Sequence, residues 1–101
     1  MIARMWHGRV PTAKAEAYRA FTNGRAIPDY QSVRGNLSVF VLERTEGDVT
    51  HFMTLTFWED LESIKGFAGP EPEVAKYYPE DKDFLIEFEP HVVHYEVVGK
   101  S

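Results

Sequence analysis

From Val49 to Trp58 the chain reads VTHFMTLTFW, a stretch rich in β-branched and aromatic residues that no glycine or proline interrupts. That composition predicts a strand. Its even positions (Thr50, Phe52, Thr54, Thr56, Trp58) and odd positions (Val49, His51, Met53, Leu55, Phe57) are both substantially apolar. A strand with one wet face would alternate polar with apolar, so this one is expected inside a sheet covered on each side. After Glu59-Asp60, Leu61, Ile64, Phe67 and Ala68 recur at helical spacing, with Glu62, Ser63 and Lys65 on the other face. Asp60 is placed to cap that helix and Gly69-Pro70 to stop it. Gly66 inside it costs about 1 kcal/mol relative to alanine, so the helix depends on its packing.

The flanking pattern supplies the other elements. Ile2–Val10 predicts a first strand with faces Ile2/Arg4/Trp6/Gly8/Val10 and Ala3/Met5/His7/Arg9, Gly8 marking a bulge or a close backbone approach. Pro11 ends it and Thr12 is placed to cap a helix whose small face is Ala13, Ala17, Ala20, Phe21 and Gly24, with Tyr18 at the edge. Asn23-Gly24 and Pro28 are expected to terminate it. Asn36–Thr45 alternates again, and Glu46-Gly47-Asp48 predicts a hairpin into the strand at Val49. Pro72 to Lys76 fits one helical turn, Phe84 to Glu89 either an edge strand or a tethered loop, and Val92–Val98 the last strand. The order strand-helix-strand-strand-helix-strand predicts an α+β, ferredoxin-like sandwich: a four-stranded antiparallel sheet, helices on one face, strand one between strands three and four.

Length turns that pattern into a problem of cover. A chain of 101 residues is expected to form a single domain, 1–101, that buries roughly 60–70% of its unfolded surface. Helices cover one face of the sheet, and the apolar second face then calls for a second copy of the chain, a homodimer. Nothing argues for an oxidising compartment, since cysteine is absent. No apolar run approaches the ~20 residues of a membrane span, so a cytoplasmic protein is the expectation and no membrane partner is implied. The net charge of −5 is equalled by the Glu71–Glu89 segment alone, with seven acids and two bases, which reads as a solvated surface. With no basic stripe, no nucleic-acid partner is expected.

Candidate chemistry is sparse. No Gly-rich phosphate loop, G-x-S-x-G elbow or H-E-x-x-H helix is present. His91 and His94, three apart in a strand, fall on opposite faces and cannot chelate together. His7 falls near both His51 and His94 in the expected strand order. The three imidazoles could gather to hold a metal if their parities agreed; satisfied core or interface histidines are the simpler reading, and no metal site is expected. His7 is the best candidate general acid or base, because an imidazole titrates near neutrality.

The opening MIARMWHGRV, the unit TLTFWEDLESIKGFAG and the ending YYPEDKDFLIEFEPHVVHYEVV together resemble the antibiotic biosynthesis monooxygenase (ABM) group of the dimeric α/β-barrel superfamily. A tryptophan closing strand three before an acidic turn and helix is typical of that group. The resemblance spans nearly the whole chain and implies a homodimer whose sheets face each other, with a cavity between sheet and helices in each subunit. It also implies cofactor-independent oxygenation: a phenolic or quinol-type substrate, held deprotonated in a dry pocket, reacts directly with dioxygen without metal, flavin or haem. The haem-degrading branch pairs the strand-three Trp with an Asn on strand one and a His early in the second helix. This chain has no Asn in Met1–Val10 and no His between Trp58 and His91.

Carried over residue by residue, the resemblance points to Trp58. If Trp58 faces the cavity, Thr50, Phe52, Thr54 and Thr56 share its side, and hydroxyls beside aromatics suit a planar, oxygen-bearing ligand. The same residues also suit a plain core with threonines of high β propensity. Tyr77 and Tyr78 fit either a lid that donates to a ligand anion or anchors of an irregular loop. The functional expectation is a binder of a small aromatic or apolar molecule, with cofactor-independent monooxygenation as its reaction. The alternatives are a non-catalytic sensor or accessory dimerisation module and, last, a haem- or metal-dependent oxygenase.

Overall fold

A computed structural model describes residues 1–101. Four strands, β1 (Ile2–Pro11), β2 (Asn36–Glu46), β3 (Val49–Trp58) and β4 (Val93–Glu96), form one sheet in the order β2-β3-β1-β4. Every neighbouring pair is antiparallel, so β1 lies between β3 and β4 as the element order requires. Gly47, at φ 62°, makes the hairpin between β2 and β3. Register along β1 and β3 is unbroken from Ile2 opposite Trp58 to Pro11 opposite Val49. Gly8 therefore marks a close approach and no bulge: a Cβ there would sit 2.6 Å from the Trp6 ring and 2.9 Å from Leu85.

The first helical segment departs from expectation. It begins as a tight turn at Thr12–Lys14, continues as α1 (Ala15–Phe21), widens through a π turn at Thr22–Ala26 and ends as α2 (Ile27–Gln31). Pro28 does not break it. The Ile27 N–H reaches back five residues to the Thr22 carbonyl, and this wider turn absorbs the donor that proline lacks. Mixing the two bond patterns winds the chain at about four residues per turn. The buried face is accordingly Tyr18, Thr22, Ala26 and Tyr30, with Ala15 ahead of it; Ala13, Ala17, Ala20 and Gly24 are exposed. Thr12 caps nothing: its hydroxyl donates to the Gly47 carbonyl, tying the helix start to the hairpin.

The second helix, α3 (Leu61–Ala68), is as expected. Asp60 Oδ1 accepts from the Ser63 N–H and hydroxyl, both at 2.8 Å, and Gly69 at φ 94° ends it. Gly66 permits close packing, since a Cβ there would lie 3.1 Å from Val33. Residues 69–92 cross the helical side as irregular chain around one short turn at Pro79–Asp83. Phe84 to Glu89 is a tethered loop, pinned where the Ile86 N–H meets the Arg9 carbonyl at 2.8 Å.

Helices and loop cover only the inner face of the sheet. Beneath them lie two apolar clusters: Trp6, Val10, Ala15, Tyr18, Phe52, Leu85 and Val92 at one end, and Ala26, Tyr30, Trp58, Ile64 and Phe67 at the other. The outer face carries Met5, Met53, Leu55, Phe57, Phe40, Leu42, Val93 and Tyr95 with no element above them. Phe40 and Tyr95 are 51% and 56% exposed, far beyond what an apolar core position shows.

Candidate functional site

A narrow, nearly filled cavity of about 20 Å³ lies where the two inner clusters meet. β1 and β3 supply its floor with Trp6 and Thr54, and the α1–α2 segment supplies one wall with Tyr18, Phe21, Thr22, Ala26 and Tyr30. Lys76, Tyr78 and Asp81 close it from the loop side. The π turn directs both Thr22 and Ala26 into it, a placement such turns often have at functional sites. The side chains pack closely enough to leave free room for little more than one water molecule.

Two polar groups distinguish this space from plain core. Asp81 is 1% exposed and has no cation beside it; Oδ1 accepts from the Tyr18 hydroxyl at 2.9 Å and Oδ2 from the Tyr78 N–H at 2.7 Å. Burial raises its carboxyl above the ordinary value, and these hydrogen bonds only partly oppose the shift. The Trp6 indole N–H is buried and donates to nothing. Burial also pushes the Tyr30 phenol up to about 12, against the pull of Arg4 beside it, so Tyr30 remains a donor at neutral pH.

The loop is strapped down over the cavity. Asp29 Oδ2 accepts from the Tyr78 hydroxyl at 2.5 Å and from Lys76 Nζ at 3.0 Å, while the Arg25 guanidinium lies 4.9 Å from the centre of the Tyr78 ring. Burial would raise the Asp29 carboxyl, but the bonds from Tyr78 and Lys76 outweigh it and hold the group below the usual carboxylate value. The Tyr77 hydroxyl donates to the Glu89 carbonyl, and its ring packs on Trp6 and Phe88. Both tyrosines thus spend their hydroxyls holding the loop.

Of the residues singled out from sequence, Thr54 and Tyr78 line the cavity. Trp58, Phe52 and Thr56 share the inner face but lie in its packing. Trp58 is fully buried against the stacked pair Tyr30 and Phe67, and its indole N–H donates to Thr56 Oγ1 at 2.8 Å. Phe52 sits edge-on beneath Tyr18. Thr50 ties the hairpin through hydroxyl contacts with Thr12 and Thr45. His7 points to the outer face, away from the cavity, because its strand parity is opposite to that of Trp6. There His7 Nε2 meets His51 Nδ1 at 3.0 Å and its Nδ1 meets Glu89 at 2.5 Å. His94 lies on the inner face opposite Arg4, so the three imidazoles do not gather. No group of three or more His, Asp or Glu side chains is arranged to hold a metal ion.

Sequence reasoning missed Asp81, Trp6 and Arg4. Asp81 was hidden in the acidic run read as solvated surface. Its signal was local, an Asp two residues after Pro79 whose carboxylate caps the turn through the Tyr78 N–H. Arg4 was visible as the one charged position on a face otherwise built from Ile2, Trp6, Gly8 and Val10.

No family model matches the sequence, and no curated protein matches it closely. Solved structures do. A Bacillus cereus protein assigned as an antibiotic biosynthesis monooxygenase superposes with a TM-score of 0.68 over 99% of this chain and 95% of its own, at 16% identity. A mutant of MhuD, solved with two manganese protoporphyrin IX molecules per active site, gives 0.64 over 100% and 98%, also at 16% identity. The chain has an ABM-like fold. At this identity the likeness is one of fold, and activity has to be argued from the site.

The porphyrins in the MhuD mutant call for a fit test here. A macrocycle needs a flat slot and an axial base. In this chain the space between sheet and helices is nearly filled, and its inner-face imidazole, His94, has its Nε2 buried without a partner beside the Arg4 cation. These residues do not fit haem. No helix is long and apolar enough to cross a membrane.

Proposed function

We propose that the chain works as a homodimer whose subunits each bind a small aromatic, oxygen-bearing molecule between sheet and helices, and that the chemistry is cofactor-independent oxygenation of a phenolic or quinol-type substrate. One observation carries this reading: Asp81, a buried carboxylate with no cation, stands in the wall of an aromatic cavity. A raised carboxyl in a dry site is a base matched to a phenol made more acidic by hydrogen bonding. The phenol proton passes to Asp81, leaving a phenolate and a neutral acid. The electron-rich ring then takes up dioxygen, with phenol and dioxygen giving quinone and water, so no external reductant is required. Trp6 Nε1 and the Tyr30 hydroxyl are the donors available to the oxygen anion.

The homodimer rests on the outer face. An apolar patch of this extent on a lone subunit is a contact surface or a liability, and a second copy covers it with matching chemistry. Entry of a ligand requires the Lys76–Tyr78 strap to lift, because the cavity is otherwise full. That same fullness favours one competing reading, an accessory dimerisation module with no ligand.

A titration separates them. Purified protein is mixed with a naphthol under anaerobic conditions while tryptophan fluorescence is followed, and air is then admitted with quinone absorbance and oxygen uptake recorded. Quenching followed by catalysed quinone formation is expected, and Asp81→Asn should bind but not turn over. Quenching without turnover leaves a binding protein; no quenching leaves the accessory module.

A further inference from the structure

Arg4 is 1% exposed, lies on the inner face of β1, and has no carboxylate within ion-pair distance. Its Nε and Nη1 are buried with no hydrogen-bond partner, and Nη2 makes only a long contact, 3.4 Å, to the Val74 carbonyl. A guanidinium stays charged in proteins, and a buried charge without a counter-charge is costly. No carboxylate in its surroundings meets it. Lys76 Nζ lies 4.2 Å from the centre of the Phe67 ring, and the Arg4 guanidinium lies 5.5 Å from the same ring. Across the β1–β4 ladder, His94 faces Arg4, with its own Nε2 buried and unpartnered. Lys76 has the Asp29 carboxylate; Arg4 has only the neutral Tyr30 hydroxyl and a distant carbonyl.

We infer that the ligand of this cavity is an aromatic acid whose anionic oxygen is bound by Arg4, with Tyr30 and Lys76 flanking it. The inference rests on the small-molecule reading above and narrows it to a charge class. Arg4 lies just behind the cavity: Tyr30, which lines it, stands beside the guanidinium, so an anion in the aromatic space meets Arg4 past the Tyr30 hydroxyl. A bare inorganic anion would leave the aromatic walls unused. A carboxylate or phenolate on a flat ring uses both, the ring lying against Trp6 and Tyr78 while the charge meets the unpartnered N–H groups.

The test uses benzoate and benzamide, equal in size and different in charge, with sulfate as the simple anion. Binding is read by tryptophan fluorescence and by the shift in melting temperature. Wild type should bind benzoate at least about tenfold tighter than benzamide, and sulfate should give no comparable shift. Arg4→Met should lose the preference for benzoate and, without ligand, melt no lower than wild type, because it removes an uncompensated buried charge. Should Arg4→Met fail to fold, the wild-type preference and its reduction in Lys76→Met carry the test. Equal binding of benzoate and benzamide overturns the charge class and leaves the small-molecule reading standing. Sulfate matching benzoate, or a preference that survives in Arg4→Met, also overturns it. Failure of both aromatic probes to bind removes both proposals together.

Discussion

Replacing Tyr18 by Phe isolates what one hydrogen bond does for a buried carboxylate. The ring and its packing against Phe52 and Phe84 are kept, while the donor to Asp81 Oδ1 is removed. Oδ2 keeps the Tyr78 N–H. Losing a hydrogen bond to an ionised group costs about 1.5–3 kcal/mol, against about 0.5–1.5 kcal/mol for a neutral pair. The cost should therefore depend on whether Asp81 is charged. Its folded carboxyl is raised, so the native state holds a proton that the unfolded chain has already released, and stability falls as pH rises from the ordinary carboxylate value through the raised one. The Tyr18 bond opposes that shift, so Tyr18→Phe raises the carboxyl further and widens the window of loss. Urea unfolding is compared at about pH 4 and about pH 7.5, with protein concentration fixed. The destabilisation should be near 1 kcal/mol at the acid end and about 2–3 kcal/mol at the other. A loss that is flat with pH, or larger in acid, would refute the picture of Asp81 as a buried, hydrogen-bonded carboxylate.

Four other substitutions test the remaining parts. Gly8→Ala should cost about 1–3 kcal/mol by urea midpoint, because its Cβ meets the rigid Trp6 ring; an unchanged midpoint would show that Trp6 and Leu85 yield freely. Trp58→Ala should cost about 3–5 kcal/mol as a core deletion, and a well-folded variant that has lost only ligand binding would restore Trp58 to the site. Met53→Glu, on the outer face, should convert the proposed dimer to a monomer in sedimentation velocity; an unchanged profile would place the interface elsewhere. Asp29→Asn should speed proteolysis between Glu71 and Tyr78 by loosening the strap. In wild type the carboxyl sits below its unfolded value, so the stability it contributes is complete above the ordinary carboxylate pKa and fades as pH falls through the lowered one. Cleavage should then accelerate in acid for wild type and change less in the variant.

The fold was legible because its decisive signals are local and repeated. The two apolar faces of Val49–Trp58, the Asp60 cap and the Gly47 turn each survive into the structure unchanged. The long helix was misread at Pro28 because a 3.6-residue period was carried through a stretch that winds wider, which also misassigned its buried face. The site was less legible. Position on the inner face selects candidates, but whether Trp58 meets a cavity or a phenylalanine depends on how α3 lies, which no local pattern encodes. Asp81 and Arg4 join the site only after chain far apart in sequence has folded together, and the buried state of each is a tertiary fact.

The position of the cavity follows from how the core is divided. A chain under pressure only to fold would fuse its inner-face apolar residues into one cluster, since each methylene buried adds about 0.8 kcal/mol. Here the clusters at Phe52 and at Trp58 remain separate, and between them the inner face carries Arg4, Thr54 and Thr56. Threonine could be valine at similar volume, and an arginine in this layer has no folding advantage over methionine. The seam also holds the unpartnered Trp6 indole N–H, and the two unpartnered Arg4 nitrogens lie behind it. Buried donors left open are rare in native cores, where nearly all such groups find partners. Donors without acceptors at the junction of two divided clusters are what the proposed site, with an acceptor from outside the chain, requires. On the proposed reading, the ligand's polar end meets Arg4 on β1 and its ring lies beneath the Tyr78 strap.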